Sequence, residues 1–268
     1  MKHPTPASAE RPARDPKQLQ LLSCNILAGG SVRRYRDYVT HSWKHVLPTG
    51  KRANLDVLAR VIGEFDLVGL QEADAGSLRS GFLNQTQYLA EAAAFPFWSH
   101  QPNRRVSRLA TSSNGLLARL QPDEVLDYPL PGRIPGRGAL WARFGDGESS
   151  LIVVVAHLSL GPAARMRQLG FIGELIGHHP NVVLMGDLNT SSASAELKML
   201  YSRTALEPPR ESPATFPSWR PTRAIDHILV SGSIEVERRW ALSHPVSDHL
   251  PVAASIRLPQ TIGEIASA

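Results

Sequence analysis

Cysteine is nearly absent: the 268 residues hold one, Cys24. No intramolecular disulfide can form, and a cysteine-built zinc site is excluded. Long apolar runs are missing too. The longest is six residues, Leu151 to Ala156, against the roughly 20 needed to span a bilayer. The first seventeen residues contain four prolines and six charges but no apolar stretch. They read as a flexible tail, not a secretory leader. There is no Gly-x-Ser-x-Gly, so the nucleophile elbow of a serine hydrolase is absent. No Walker A sequence occurs, and Gly136-Arg137-Gly138 lacks a third glycine at nucleotide-binding spacing. These absences predict a soluble, cytoplasmic protein.

What remains is ordinary globular composition, 42% hydrophobic and 20% charged. The chain is long enough to bury a core without staples. Net charge is +5, and it is concentrated. Between Ser31 and Arg52 lie Arg33, Arg34, Arg36, Lys44, Lys51 and Arg52 against one acid, Asp37, with Tyr35, Tyr38 and Trp43 interleaved. Arg104, Arg105 and Arg108 form a second basic group. Such clusters suit either a solvated loop or a surface for an anionic substrate.

Periodicity places the elements. Gln20 to Ile26 predicts a strand bounded by Gly29-Gly30. Leu55, Leu58, Ile62 and Phe65 share one helix face. Asp66 to Leu70 predicts a buried strand ending at Gln71-Glu72, and a helix follows near Gln85 to Ala94. Asn114 to Leu120, Arg137 to Phe144 and the Ile/Val-rich Leu151 to Ala156 predict further strands. Met166, Leu169, Ile172 and Ile176 mark a helix that stops before Pro180. Val182 to Met185, Ala224 to Val230 and Val252 to Ile256 complete the set. Cys24, inside the first strand, reads as a small core residue.

The halves share an order of elements. A strand ending in Asn25, a helix, and a strand ending in Glu72 are matched by a strand ending in His157, a helix, and a strand ending in Asp187. This predicts two similar α/β layers packed face to face, with polar residues gathered at one end of the sheets. Asn25, Glu72, His157, Asp187, Asn189, Asp226, Asp248 and His249 all follow or interrupt apolar strands. Buried charges are costly unless paired or bound to metal. Any one of them has a dull explanation as a cap, a turn residue or a satisfied core histidine. Eight together point to a site. Carboxylates and amide oxygens without cysteine suit a hard cation, Mg²⁺ or Mn²⁺.

Six motifs occur in order: Ser23-Cys24-Asn25-Ile26, Gly69-Leu70-Gln71-Glu72, Ala156-His157-Leu158, Gly186-Asp187-Leu188-Asn189, Ile225-Asp226-His227-Ile228 and Ser247-Asp248-His249-Leu250-Pro251-Val252. Together they resemble the endonuclease/exonuclease/phosphatase superfamily, across roughly Gln18 to Leu258. The resemblance implies a single-domain α/β (α+β) fold, a four-layered sandwich of two packed mixed sheets flanked by helices. Residues 1–17 and 259–268 would then be tails. It implies a divalent-metal-dependent phosphohydrolase that uses an activated water. By motif, Glu72 matches the principal metal-ligating carboxylate, with Asn25 beside it and Asp248 as a further metal-site carboxylate. Asp187 matches the residue that orients or deprotonates the water, and Asn189 helps hold the phosphate. His249 matches the histidine at the scissile phosphate, and Asp226 the carboxylate that fixes its ring. His157 matches a histidine of the deoxyribonuclease-like and sphingomyelinase-like branches.

Departures narrow the branch. Leu27, Ala73-Asp74 and Ala156-His157-Leu158 stand where abasic-site endonucleases carry other residues, so abasic-site repair is disfavoured. Two substrates remain. One is nucleic acid, with Arg33, Arg34, Arg36 and Asn114 as binding residues. The other is a phospholipid headgroup, inositol phosphate or other small phosphoester, with Trp43, Phe97 and Trp98 as interfacial anchors. The sequence points to no protein partner.

Overall fold

A computed structural model describes residues 15, 17–27, 51–76, 83–106, 110–132, 136–243, 247–260 and 262. Their elements follow the chain as β1 (Gln18–Asn25), α1 (Lys51–Ile62), β2 (Leu67–Asp74), α2 (Gln85–Ala92), β3 (Phe97–Val106), β4 (Ala110–Ala118), β5 (Glu124–Pro129) and β6 (Gly138–Phe144). Then come β7 (Leu151–His157), α3 (Pro162–Ile176), β8 (Val182–Asp187), α4 (Ala195–Tyr201), β9 (Asp226–Val230), β10 (Glu235–Ala241) and β11 (Val252–Arg257).

Two mixed sheets form. The first runs β10-β11-β1-β2-β4-β3 and the second β5-β6-β7-β8-β9. Each contains one parallel pair, β1 with β2 and β7 with β8, and the other pairings are antiparallel. A parallel pair needs a crossover, and the helices α1 and α3 lie in those two connections. The expected half-repeat is therefore real at the level of topology.

Strand alternation builds the layers. Leu21 and Leu67 join Val153, Val155, Val183 and Met185 in the core between the sheets. Their neighbours Leu22 and Val68 turn outward onto Leu55, Leu58 and Ile62 of α1. On the other side Ile152, Val154 and Leu184 pack against Leu169 and Ile172 of α3. The result is helices, sheet, sheet, helices: the four-layered sandwich. The sheets meet closely at Gly69, where an added Cβ would lie 2.9 Å from Met185 Sδ and 3.1 Å from Val155 Cγ2.

The structure departs from the sequence expectation at the edges. β5 and β10 carry charges along exposed faces, so their hydrophobic alternation is faint. β3 contains Pro102 and two arginines, and α4 is only seven residues long. None of these elements stands out in the sequence. Met166 is 37% exposed, and the buried face of α3 instead includes Arg165 and Gln168. Ile262, expected in a C-terminal tail, is buried in the core between the sheets because its side chain finishes that core beside Leu258. No helix among the described residues is long and apolar enough to cross a membrane.

Candidate active site

Three strand ends and a bulge in a fourth strand converge at one end of the sandwich. Asn25 closes β1, His157 closes β7 and Asp187 closes β8. Glu72 lies within β2, where the pairing with β4 shifts register between Leu70 and Ala73 and Glu72 takes φ 57°. An extra residue in one strand re-aims side chains. A left-handed non-glycine residue costs about 1–3 kcal/mol and is characteristic of functional sites. β2 then continues to Asp74, past the expected end.

Asp187 is the hub. Its Oδ2 accepts from Asn25 Nδ2 at 3.2 Å and lies 3.3 Å from His157 Nε2 and 3.9 Å from His249 Nε2. Its Oδ1 accepts the Asn189 backbone N–H at 3.0 Å. Asn189, at φ 53°, donates its side-chain amide to Leu158 O at 2.9 Å, tying the loops after β7 and β8 together. Gly186 sets up this turn. An added Cβ there would sit 1.8 Å from the Ala156 carbonyl oxygen, inside the sheet, at φ 150°. Gly186→Ala is therefore expected to destabilise the fold by several kcal/mol or prevent folding. Denaturant melts read this directly, and a midpoint within experimental error of the parent would contradict it.

His249 is held from behind. Its Nδ1 lies 2.8 and 3.1 Å from the two Asp226 oxygens, and Thr215 Oγ1 donates to Asp226 Oδ2 at 2.5 Å. The Phe216 ring packs 4.9 Å from the imidazole. Glu72 Oε1 stands 3.9 Å from His157 Nε2 and is the more exposed partner, at 31% against 5% for the side chains.

The electrostatics follow from burial and proximity. Burial would raise the Asp187 carboxyl, but His157 and His249 and the Asn189 amide outweigh it and hold it low. Asp226 is pushed up by burial and by the charge of Asp187, against the His249 hydrogen bond. Burial would lower His249, yet Asp226 and the neighbouring acids raise it to about 9. Asp248 is raised by burial and by the charges of Glu72 and Asp187, with His249 opposing.

The site's donors fit a divalent cation. Glu72, Asp248 and the Asn25 amide oxygen are hard oxygen donors, and the mutual repulsion of the acids is what a cation relieves. Among the described residues, Asp187, Asp226 and His249 also place ligand atoms within 4.8 Å of one another. There, however, His249 Nδ1 is committed to Asp226 at 2.8 Å. On the Glu72 side, where the carboxylate is 31% exposed, oxygen donors not tied into that pair could also hold an ion.

Asn114 is fully buried and spans the two sheets, its amide donating to Gly138 O at 2.8 Å while its Oδ1 has no partner. Arg33, Arg34, Arg36, Trp43 and Arg108 lie outside the described residues. Phe97 and Trp98 are not at the site. Phe97 pairs with Ala118, which pairs with Leu67. That is the opposite end of the sheet from Glu72. Phe97 packs on the core between the sheets.

Some positioning residues escape sequence reasoning. His227 donates from Nε2 to Thr190 O at 2.7 Å, and Ser247 Oγ donates to Asn25 O at 2.5 Å. Both sit inside the six ordered motifs, which is the one signal the sequence offers for them. Thr215 and Phe216 carry no such signal.

The sequence model of the Endonuclease/Exonuclease/phosphatase family matches residues 22–249. The chain belongs to that family. Its members are phosphohydrolases, and so is this protein at that level of description. No curated protein matches it in sequence. Solved structures share the fold. An endonuclease/exonuclease/phosphatase from Beutenbergia cavernae is 18% identical at TM-score 0.71, covering 91% of this chain and 72% of its own. A mannosyl-6-phosphatase from Bacteroides thetaiotaomicron is 20% identical at TM-score 0.63, with 89% and 99% covered. Sphingomyelinase C from Streptomyces griseocarneus is 18% identical at TM-score 0.60, with 89% and 99% covered.

Proposed function

We propose that this family member is a divalent-cation-dependent phosphodiesterase whose substrate class is nucleic acid. The observation that carries the chemistry is Asp187 Oδ2 set 3.3 Å from His157 and 3.9 Å from His249, with Asp226 behind His249 at 2.8 Å. A carboxylate held ionised beside two imidazoles can orient and deprotonate a water. His249, kept cationic by Asp226, faces the charge that builds on the phosphate. Asn189 and His157 bracket the same space and position the phosphate oxygens. Bound at Glu72, Asp248 and Asn25, Mg²⁺ or Mn²⁺ would supply Lewis-acid neutralisation of the phosphoryl and leaving oxygens.

Nucleic acid is favoured over lipid because two of the three aromatic anchors on which the lipid reading rests, Phe97 and Trp98, lie at the far end of the sheet. The +5 segment from Ser31 to Arg52 supports a polyanion as well.

A substrate panel in Mg²⁺, Mn²⁺ and chelator tests this: single- and double-stranded DNA, RNA, sphingomyelin, phosphatidyl lipids, inositol phosphates and bis-p-nitrophenyl phosphate. Cation-dependent cleavage of a nucleic acid is expected to dominate. Turnover confined to monoesters or lipids would sink the assignment. In the same panel, replacing Arg33, Arg34 and Arg36 by Ser is expected to raise KM for nucleic acid more than for the minimal diester. The salt slope of log K should fall by about 0.7–0.9 for each phosphate that is no longer neutralised. Equal effects on both substrates would remove the segment from substrate binding.

A further inference from the structure

The Thr215–Arg223 hairpin is fastened to the catalytic groups at several points. Phe216 and Arg223 form an antiparallel bridge, with Thr215 N and Phe216 N donating to Arg223 O and Arg223 N to Phe216 O. Thr215 holds Asp226 through its hydroxyl, and its carbonyl accepts Leu250 N at 2.9 Å. Ser218 donates from N to Asp248 O at 2.7 Å and from Oγ to Ser247 O at 2.8 Å. The tip is short and proline-flanked, Pro217-Ser218-Trp219-Arg220-Pro221, with Arg220 N turned back onto Pro217 O at 3.0 Å. A loop tied this closely to Asp226, Asp248 and Leu250 shares their position.

Two cations stand on it. Arg220 and Arg223 are exposed. The Arg223 guanidinium lies 5.6 Å over the Phe216 ring, and that ring lies 4.9 Å from His249. Among the described residues neither arginine forms an ion pair. Stacking on Phe216 limits where the guanidinium can go and leaves its planar fork of donors open. Such a fork recognises phosphate in a bidentate manner.

We propose that Arg223, assisted by Arg220, forms a cationic subsite for a second phosphate one unit removed from the scissile phosphodiester. Neighbouring phosphates on a nucleic-acid strand are separated by one sugar, and a single ring, Phe216, touches both the Arg223 guanidinium and the His249 imidazole. The proposal rests on the phosphodiesterase reading above and sharpens it. The preferred substrate carries two phosphates in series, and the arginines recognise the one that is not cut.

Two chromogenic diesters test it, the p-nitrophenyl ester of thymidine 5′-phosphate with either a free 3′-hydroxyl or a 3′-phosphate. The leaving group and scissile bond are identical. Wild-type enzyme is expected to prefer the 3′-phosphorylated substrate in kcat/KM by roughly ten-fold or more, mainly through KM. Arg223→Gln keeps a planar amide near Phe216 and removes the charge. It should bring the ratio toward one, and Arg220→Ala with Arg223→Gln should bring it closer still. Melting temperatures confirm that both variants are folded. A wild-type ratio near one, a preference retained in the double variant, or equal loss on both substrates would each overturn the subsite. Equal loss would mean that Arg223 acts on His249 through Phe216. If wild-type enzyme cleaved neither diester nor any nucleic acid, the phosphodiesterase reading itself would fail, whereas cleavage of nucleic acid but of neither diester would overturn the subsite alone.

Discussion

Glu72→Gln is expected to abolish cation-dependent turnover while leaving the fold intact. The substitution keeps the size of the side chain and removes its charge. At 31% exposure and 3.9 Å from His157, Glu72 is a rim residue and not a packing element. A cation that neutralises phosphoryl charge contributes several kcal/mol to the transition state. Its loss corresponds to a rate decrease on the order of a thousand-fold. Two measurements separate a missing ligand from a general defect. With wild-type protein, added Mg²⁺ should raise the melting temperature, since an ion that binds only the folded state stabilises it. With Glu72→Gln that rise should shrink or vanish, and chelator should no longer change the residual rate. Undiminished activity with an unchanged Mg²⁺-dependent melting shift would remove Glu72 from the metal site. Asp248 should then be tested in its place, because burial and the charge of Glu72 already raise its carboxyl.

The second large effect concerns Asp226 and His249 as a unit. Nδ1 of His249 lies 2.8 Å from Asp226 Oδ2, so the carboxylate sets the tautomer and orientation of the ring. Asp226→Asn and His249→Ala should each lower kcat by about 10²–10⁴-fold. The double variant should be little slower than the worse single one, since residues that act together are non-additive. If the two effects multiply instead, the pair does not function as one group. Asp226 is buried and also accepts from Thr215, so folding of the Asn variant is checked by its melting curve before rates are compared.

Much of the layering was legible because buried strands and amphipathic helices leave periodic marks. The Leu151–Ala156 run and the Leu55, Leu58, Ile62 stripe report burial directly, and both lie in the expected layers. The edge strands β5 and β10 are not legible in this way, because one side of an edge strand faces water and its pattern is diluted by charge. Phe97 shows the converse limit. Its aromatic character suggested a surface role, yet register alone decides which end of a strand a residue occupies.

The sequence by itself determined the family, the four-layered class and the eight polar positions that end or interrupt strands, because those positions sit in short ordered motifs within apolar runs. Only the tertiary structure decided which of them meet. The bulge that turns Glu72 left-handed depends on the pairing of β2 with β4. The contact of His157 with Asp187 joins neighbouring strands of the second sheet, and that of Asn25 with Asp187 crosses from one sheet to the other. The support of His249 by Asp226, Thr215 and Phe216 depends on a hairpin with no periodic signature. Pattern in a sequence reports which face of an element is buried. It carries no information on which distant elements share an end, and at this site the chemistry lies in that sharing.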